Sequence, residues 1–380
     1  MTIPRAAAAE AALIGRPWTD ADTPALLVDL DRLEQNIAQM AAMARDAGVD
    51  LRPHFKTHKS VEIARRQVAA GAIGMTVAKL DEAAALIDGG ITDVLLAYQI
   101  VSAPKLARAM DLAARGRLIL AIDSVAGARA ISGAAHGAGL RVAVSIEVEC
   151  GLRRCGIAAE DAASFARVVV GLPGIALAGV FTHAGNSYAA ANPQQIEAIA
   201  VAEAAAVREA AERIRATGIA VPVVSVGSTP TASRVVREPG ITELRAGNYV
   251  FYDAMQVALG TIPAHHAALT VSAVVISRPT ADRAVIDAGS KTFGLDKGAH
   301  GLNVVSGYGR PIGIEGAFDR VSEEHGIFIV LPESTVAVGD HVQVIPNHAC
   351  AVGNLGREYL GVRDGIIEEI IPIDAAAGVR

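Results

Sequence analysis

Cysteine is scarce in this 380-residue chain, with Cys150, Cys155 and Cys350 the only three. Three thiols are too few for a disulfide framework and fit a reducing compartment, so a cytoplasmic location is expected. Long apolar runs are missing too. No uncharged apolar stretch reaches about 18 residues, so a helical membrane span is not expected. The opening MTIPRAAAAEAALIGRPW has Glu10 inside its Ala-rich part and no convincing cleavage site, so a signal peptide is not expected either. Positive charge is also short. Lys and Arg number 34 against 40 Asp and Glu, a net charge of −6, which argues against a nucleic-acid-binding face. Charged residues are only 19%, while 52% are apolar, enough for a large core and incompatible with wholesale disorder. At roughly 150 residues per domain, the length suggests two or three domains.

What the chain does have is a repeat of texture. Apolar, β-branched runs end in polar residues and are followed by Ala-rich helical stretches. The predicted strands are 50–56 (DLRPHFK), 74–79, 93–99, 117–123, 141–149, 177–183, 223–227 and 243–251. Helical candidates include 60–70, 80–89, 103–114, 159–170 and 193–217. Strands alternating with helices imply a parallel sheet, and eight such units predict an α/β fold, a (β/α)₈ TIM barrel. An open doubly wound sheet is the alternative, but no dinucleotide fingerprint follows any strand. Beyond Pro263 the Ala-rich patches stop. Short β-like runs at 269–277, 284–287, 326–331, 341–345 and 366–371, separated by Gly and Pro, predict a smaller, mostly antiparallel β domain. The run 24–29 (PALLVD) precedes a helix at 32–46 and is assigned to that β domain. The expected division is a barrel over 30–263 and a β domain from 1–29 plus 264–380.

A barrel enzyme places its chemistry at the C-terminal ends of its strands. Lys56, in RPHFKTHK at 52–59, is one such ending. Desolvation and cationic neighbours such as Arg52, His54 and His58 would free its lone pair for imine formation, although a solvated basic loop reads equally well. Gly227-Ser228-Thr229-Pro230 follows an apolar strand and opens a helix. It is either an anion seat suited to phosphate or a plain helix cap. His348 and Cys350, two apart, would share one side of a strand and could hold Zn²⁺, with open positions for water or substrate. The alternative is a buried cysteine beside a loop histidine. Arg154 lies between Gly151 and Gly156, which would let the backbone approach a ligand. His183 is a candidate base or a core histidine, and His265 and His266 read as linker residues.

Together these segments resemble the D-threonine aldolase / D-serine dehydratase-like family of fold-type III pyridoxal phosphate enzymes, over about 22–371. RPHFKTHK is similar to that family's Schiff-base segment, with Lys56 as its lysine. The resemblance implies a phosphate turn at Gly227, Ser228 and Thr229, and Arg154 against the cofactor ring's phenolic oxygen. It also implies that 245–249 is the last barrel strand, with Arg245 and Tyr249 near the pyridine nitrogen and phosphate. Residues 287–291 (DAGSK) match a landmark of the β domain, and 346–350 match the metal segment. The implied cofactors are pyridoxal 5'-phosphate and a divalent metal, with Zn²⁺ favoured by His348 and Cys350 over Mn²⁺ or Mg²⁺. The implied partners are a small D-β-hydroxy-α-amino acid substrate and a second copy in a homodimer. The activity expected is that of a D-threonine aldolase, giving glycine and an aldehyde, with His183 or a metal-bound hydroxide as base. A D-serine or D-threo-3-hydroxyaspartate dehydratase, with Lys56 as base, is the alternative, and an amino-acid racemase a more distant one. Cys350 stands where some aldolases carry Asp, and Asn186 where some relatives carry His.

Overall fold

The computed structural model describes residues 12–301 and 303–380; residues 1–11, on which most of the signal-peptide expectation falls, lie outside the described residues. After β1 (Ala25–Asp29), eight short strands follow: β2 (Asp50–Leu51), β3 (Met75–Val77), β4 (Asp93–Gln99), β5 (Arg117–Ile122), β6 (Val142–Glu147), β7 (Ile175–Phe181), β8 (Val223–Val226) and β9 (Glu243–Leu244). They form one parallel sheet in the order β2-β9-β8-β7-β6-β5-β4-β3. A parallel bridge between His54 and Thr76, with the Thr76 N–H donating to Pro53 O at 2.8 Å, joins the two ends and closes the barrel. The predicted barrel is therefore the fold observed. Its strands are buried on both faces, as in Leu118–Ile122, and so read as unbroken apolar runs.

Several strands are shorter than expected, β2 and β9 the most, at two residues each. Pairing from β2 continues only to His54, whose N–H reaches Ala246 O at 3.1 Å, before the chain winds into a 3₁₀ turn at Phe55–Thr57. Pro53 offers no N–H to the ladder, so the run thins there. The run expected over 243–251 ends at Leu244, and a second 3₁₀ turn forms at Asn248–Val250. The helices follow their sequence signals closely. The helix Pro193–Arg215 starts where Asn192 accepts from Gln195 N–H, with Pro193 in the first turn. It buries Ile196, Ala200, Ala204, Val207, Ala211 and Ile214, a stripe at helical spacing.

The chain divides into two compact units, one of 38–56, 64–247 and 378–380, the other of 1–37, 57–63 and 248–377. The second unit holds a nine-stranded sheet. Its later strands are β10 (Leu269–Thr280), β11 (Arg283–Ile286), β12 (Gly309–Ile312), β13 (Gly316–Val321), β14 (Gly326–Val330), β15 (His341–Pro346), β16 (Glu358–Arg363) and β17 (Ile366–Pro372). The order is β13-β14-β11-β10-β1-β16-β17, with β15 paired to both β10 and β12. All pairings are antiparallel except β1 with β16, so the early run PALLVD does join this sheet. Phe293, Phe318 and Phe328 pack edge-on or tilted, 4.8–4.9 Å between centroids, at its core. Among the described residues no helix is long and apolar enough to cross a membrane.

Candidate active site

In the barrel unit, Lys56 sits on the 3₁₀ turn just past β2 and is half-buried. Its backbone N–H donates to His54 Nδ1 at 3.3 Å. A ring nitrogen that accepts carries no proton, so a neutral His54 holds its proton on Nε2. Burial lowers the His54 pKa well below the ordinary imidazole value, and Lys56, Arg245, His183 and Arg154, in that order, lower it further. These four residues follow four different strands, and the charge of each acts on one imidazole. Arg52, expected to act on Lys56, turns the other way. It is 2% exposed and pairs through Nε with Glu243 and through Nη1 with Asp93, both at 2.8 Å. Asp93 and Glu243 begin their strands, so the guanidinium points to the N-terminal end of the barrel. His58 is likewise engaged in its own unit, where Nδ1 accepts from Ser60 N–H at 3.2 Å and the ring meets Phe251 edge-on.

The turn after β8 is tightly built. Gly227 N–H donates to Glu203 Oε1 at 3.1 Å, Thr231 Oγ1 lies 2.7 Å from Glu203 Oε2, and Ser228 Oγ lies 2.8 Å from Ser187 Oγ. A Cβ on Gly227 would come within 2.9 Å of Arg245 Cβ, so only glycine fits. Thr229 is 6% exposed, and its buried hydroxyl has no hydrogen-bond partner among the described residues. A buried, unsatisfied donor in a glycine turn is what an incoming phosphate oxygen would satisfy, so the residues fit the phosphate of pyridoxal phosphate. The expected helix after the turn is only Ala232–Val235, so the fit rests on the turn rather than on a helix dipole.

His183 Nδ1 is hydrogen-bonded to Gly227 O. A carbonyl only accepts, so Nδ1 carries the proton and Nε2 the lone pair. Arg245 is buried, donating from Nε to Ser225 Oγ at 2.8 Å and from Nη2 to Thr182 O, with its guanidinium 4.9 Å over the Phe181 ring. Arg154 is half-exposed, its Nη2 3.7 Å from Glu147 Oε1. Burial raises the Glu147 pKa against the opposing hydrogen bond from Gln99 and the charge of Arg154. The glycines flanking Arg154 serve the loop itself. A Cβ on Gly151 (φ +124°) would lie 2.8 Å from Asn186 Nδ2, and one on Gly156 (φ +108°) 2.7 Å from Glu149 N. Tyr249 is fully buried in the turn Asn248–Val250 of the other unit, so 245–249 is not a barrel strand.

In that other unit, His348 follows β15 with extended backbone and caps the helix Ala349–Leu355, whose first turn holds Cys350. The pair therefore meets across a strand-to-helix turn rather than along one face of a strand. His348 is hydrogen-bonded to Cys350, and its Nδ1 lies 2.7 Å from Asp296 Oδ2. Cys350 Sγ is 3.2 Å from Thr57 Oγ1. Burial alone would lower the His348 pKa, but Cys350 and then Asp296 outweigh it and push it up to about 10. A carboxylate on Nδ1 orients the ring and leaves Nε2 for a cation, so the donor chemistry fits a borderline-soft metal. Among the described residues no group of three or more His, Cys, Asp or Glu could hold a metal. Buried Asp253 accepts from Ala349 N–H at 3.0 Å, Gln256 N–H at 3.1 Å and Asn248 Nδ2 at 2.6 Å, fixing the residue between His348 and Cys350. Glu203, Asp253 and Asp296 were not singled out from the sequence. Only Asp253 carries a local signal there, as the cap before AMQVA.

The family described as "Alanine racemase, N-terminal domain" matches residues 28–254, and a serine dehydratase domain matches 268–362. D-threo-3-hydroxyaspartate dehydratase of Delftia sp. (strain HT23) is 40% identical over 87% of this chain and 92% of its own length. The solved D-threonine aldolase from Filomicrobium marinum is 32% identical, with a TM-score of 0.90 over 97% of this chain and 99% of that one. A cysteine-to-alanine mutant of D-threo-3-hydroxyaspartate dehydratase in the metal-free form is 36% identical, with a TM-score of 0.87 over 94% of this chain and 98% of that one.

Proposed function

The chain belongs to the alanine racemase N-terminal domain family, and from that premise we propose that it is a pyridoxal-phosphate- and divalent-metal-dependent lyase that cleaves the Cα–Cβ bond of D-β-hydroxy-α-amino acids, as a D-threonine aldolase does. The observation that carries the reading is the turn at 227–231, where a buried Thr229 hydroxyl awaits an acceptor and the Gly227 carbonyl fixes the tautomer of His183. When bound, pyridoxal phosphate supplies an electron sink for the carbanion left at Cα, and the cation lowers the pKa of the substrate hydroxyl.

The chain's own residues do the rest. Lys56 is the amine to hold the cofactor's aldehyde. The turn Gly227-Ser228-Thr229 holds its phosphate, Gly227 by the room it leaves and Ser228 and Thr229 as the donors, while Arg154 and Arg245 supply positive charge around the ring. Tyr249 is assigned to the cofactor's surroundings as well. His348 and Cys350 hold the cation. His183, with Nδ1–H committed to Gly227, presents Nε2 to take the proton of the β-hydroxyl. A homodimer in the cytoplasm belongs to the same proposal.

A second reading, dehydration to a 2-oxo acid and ammonia, is favoured by one feature. The proposed metal pair is His-x-Cys, the relative at 40% identity is a dehydratase, and a cysteine-to-alanine mutant of a dehydratase of that name is solved in a metal-free form. There Lys56 takes the α-proton and the β-hydroxyl leaves. Enzyme loaded with cofactor and Zn²⁺ is incubated with D-threonine and with D-serine, and acetaldehyde, glycine, 2-oxo acids and ammonia are assayed separately. Acetaldehyde with glycine from D-threonine is the expected result. Ammonia in their place selects dehydration. Interconversion of D- and L-amino acids, indifferent to chelator, would make the protein a racemase and sink both. Lys56→Ala is predicted to lose activity together with the cofactor absorbance at the visible edge; a variant keeping both refutes the role of Lys56.

A further inference from the structure

We infer that Glu203 is a positioning residue that ties the phosphate turn 227–231 to the His183 segment, so that one buried carboxylate sets both the grip on the cofactor and the aim of the base. The inference rests on the reading of that turn as the cofactor's phosphate seat. Glu203 lies within the buried stripe of the helix Pro193–Arg215, between Ala200, Ala204 and Val207, and is 0% exposed. A carboxyl group among alanines and valine is costly to bury unless its oxygens are satisfied. Here they are. Oε1 accepts the Gly227 N–H at 3.1 Å, Oε2 meets Thr231 Oγ1 at 2.7 Å, and the Ala184 N–H donates to the same carboxylate.

Those donors come from two segments that meet twice more. His183 Nδ1 donates to Gly227 O, and Ser187 Oγ pairs with Ser228 Oγ at 2.8 Å. Glu203 therefore anchors the residue after the base and both ends of the turn from a third element, the long helix. Because the Gly227 N–H is already committed to Glu203, an incoming phosphate is met further along the turn, where the Thr229 hydroxyl is left over. Among the charged or titratable groups that act on or feel Glu203 from other elements are Arg245 and Cys150. Burial pushes the Glu203 carboxyl up to about 7 despite the opposing hydrogen bonds from Thr231 and Gly227 and the charge of Arg245.

The test compares wild-type holoenzyme with Glu203→Ala, Glu203→Gln and Thr231→Val, using pyridoxal phosphate as the probe. Cofactor affinity is read by absorbance titration, and kcat and KM are measured at saturating cofactor. Misplacing reactive groups by about 1 Å costs on the order of 100-fold. Glu203→Ala is accordingly expected to weaken cofactor binding and to lower kcat by about 10- to 100-fold each, with KM changed less than about twofold. Glu203→Gln keeps an acceptor for Gly227 and a donor for Thr231 and is expected to restore both quantities to within about threefold. Glu203→Ala that folds and matches the wild type in affinity and kcat overturns the inference, as does Glu203→Gln that fails as fully as Glu203→Ala. If Glu203→Ala does not fold, Thr231→Val decides, and an unchanged cofactor affinity overturns the inference. A wild type that takes up no cofactor overturns the parent reading, a result visible before any variant is compared.

Discussion

At the scale of single residues, His54 and Thr229 show how the barrel mouth is tuned. Burial, then Lys56, Arg245, His183 and Arg154, hold the His54 ring unprotonated. Its folded pKa lies below the unfolded value of about 6.5, so the unfolded chain takes up a proton that the native one refuses as pH falls. The stability contributed by the neutral ring is complete above that value and is lost progressively below it. Unfolding free energy measured from pH 7 down to pH 5 is expected to fall more steeply in the wild type than in His54→Gln; equal slopes would show that the ring is not held neutral. Thr229 predicts an opposite pairing of effects. Its buried hydroxyl lacks a partner, and an unsatisfied buried polar group costs about 1–3 kcal/mol. Thr229→Val should therefore leave the cofactor-free protein as stable as the wild type or up to about 1 kcal/mol more stable, while weakening cofactor uptake. Calorimetry and absorbance titration of one sample check both, and a loss of stability without a loss of affinity refutes the role given to the hydroxyl. Lys56 and Thr229 stand out in the sequence because each sits in a compact motif. Arg52 was misjudged because a neighbour in sequence on a strand points to whichever end its partners occupy, and those partners, Asp93 and Glu243, are 41 and 191 residues away. Glu203 was invisible for the same reason, since its role comes from Gly227 and Thr231, 24 and 28 residues on.

Among elements, strand β4 was read with its observed bounds and the long helix from its Asn-Pro start, because alternation, caps and apolar stripes are local signals. What local signals missed was pairing over distance and irregular endings. Strand β13 is mostly exposed and bulged between Phe318 and Arg320, β12 carries Pro311, and β16 is defined by its register with β1 and β17. The His348–Cys350 pair was expected from period-two geometry, yet it arises because a strand turns directly into a helix there. The β8–turn–helix unit makes a prediction of its own. Gly227 is demanded by space rather than by a left-handed φ, since its Cβ would sit 2.9 Å from Arg245 Cβ and 3.2 Å from Arg245 C. Gly227→Ala should cost about 1–3 kcal/mol by overpacking and displace the turn from Glu203. Urea unfolding reads the first effect and cofactor titration the second; a variant as stable as the wild type would mean that β8 and β9 have slack here.

At the scale of the barrel as a whole, a polar chain runs from Asp93 and Arg52 to Arg245 among its apolar strands. Asp93 and Glu243 hold Arg52, Glu243 Oε1 accepts from Ser225 Oγ at 2.7 Å, and Ser225 Oγ accepts from Arg245 Nε at 2.8 Å. The pair Arg52–Glu243 is almost wholly desolvated, at 2% and 5% side-chain exposure. Such a pair does little for net stability when intact, but removing one partner strands the other charge in a low dielectric, at about 3–5 kcal/mol. Nothing local in the sequence pairs Arg52, one of several cations in RPHFKTHK, with Glu243. That they neutralise each other follows from barrel closure, which sets β2 beside β9 with Leu51 opposite Leu244. Arg52→Met keeps the side-chain volume and removes the charge, so its cost reports the stranded Glu243 rather than a cavity. We expect the unfolding free energy to drop by about 3–5 kcal/mol, and Glu243→Gln added to Arg52→Met to recover most of it. If the single variant unfolds with the wild-type urea midpoint, Glu243 has reached water or another cation, and the chain from Arg52 to Arg245 does not brace the barrel. If the double variant is no better than the single, the loss lies in packing, and the charge pair is incidental to it.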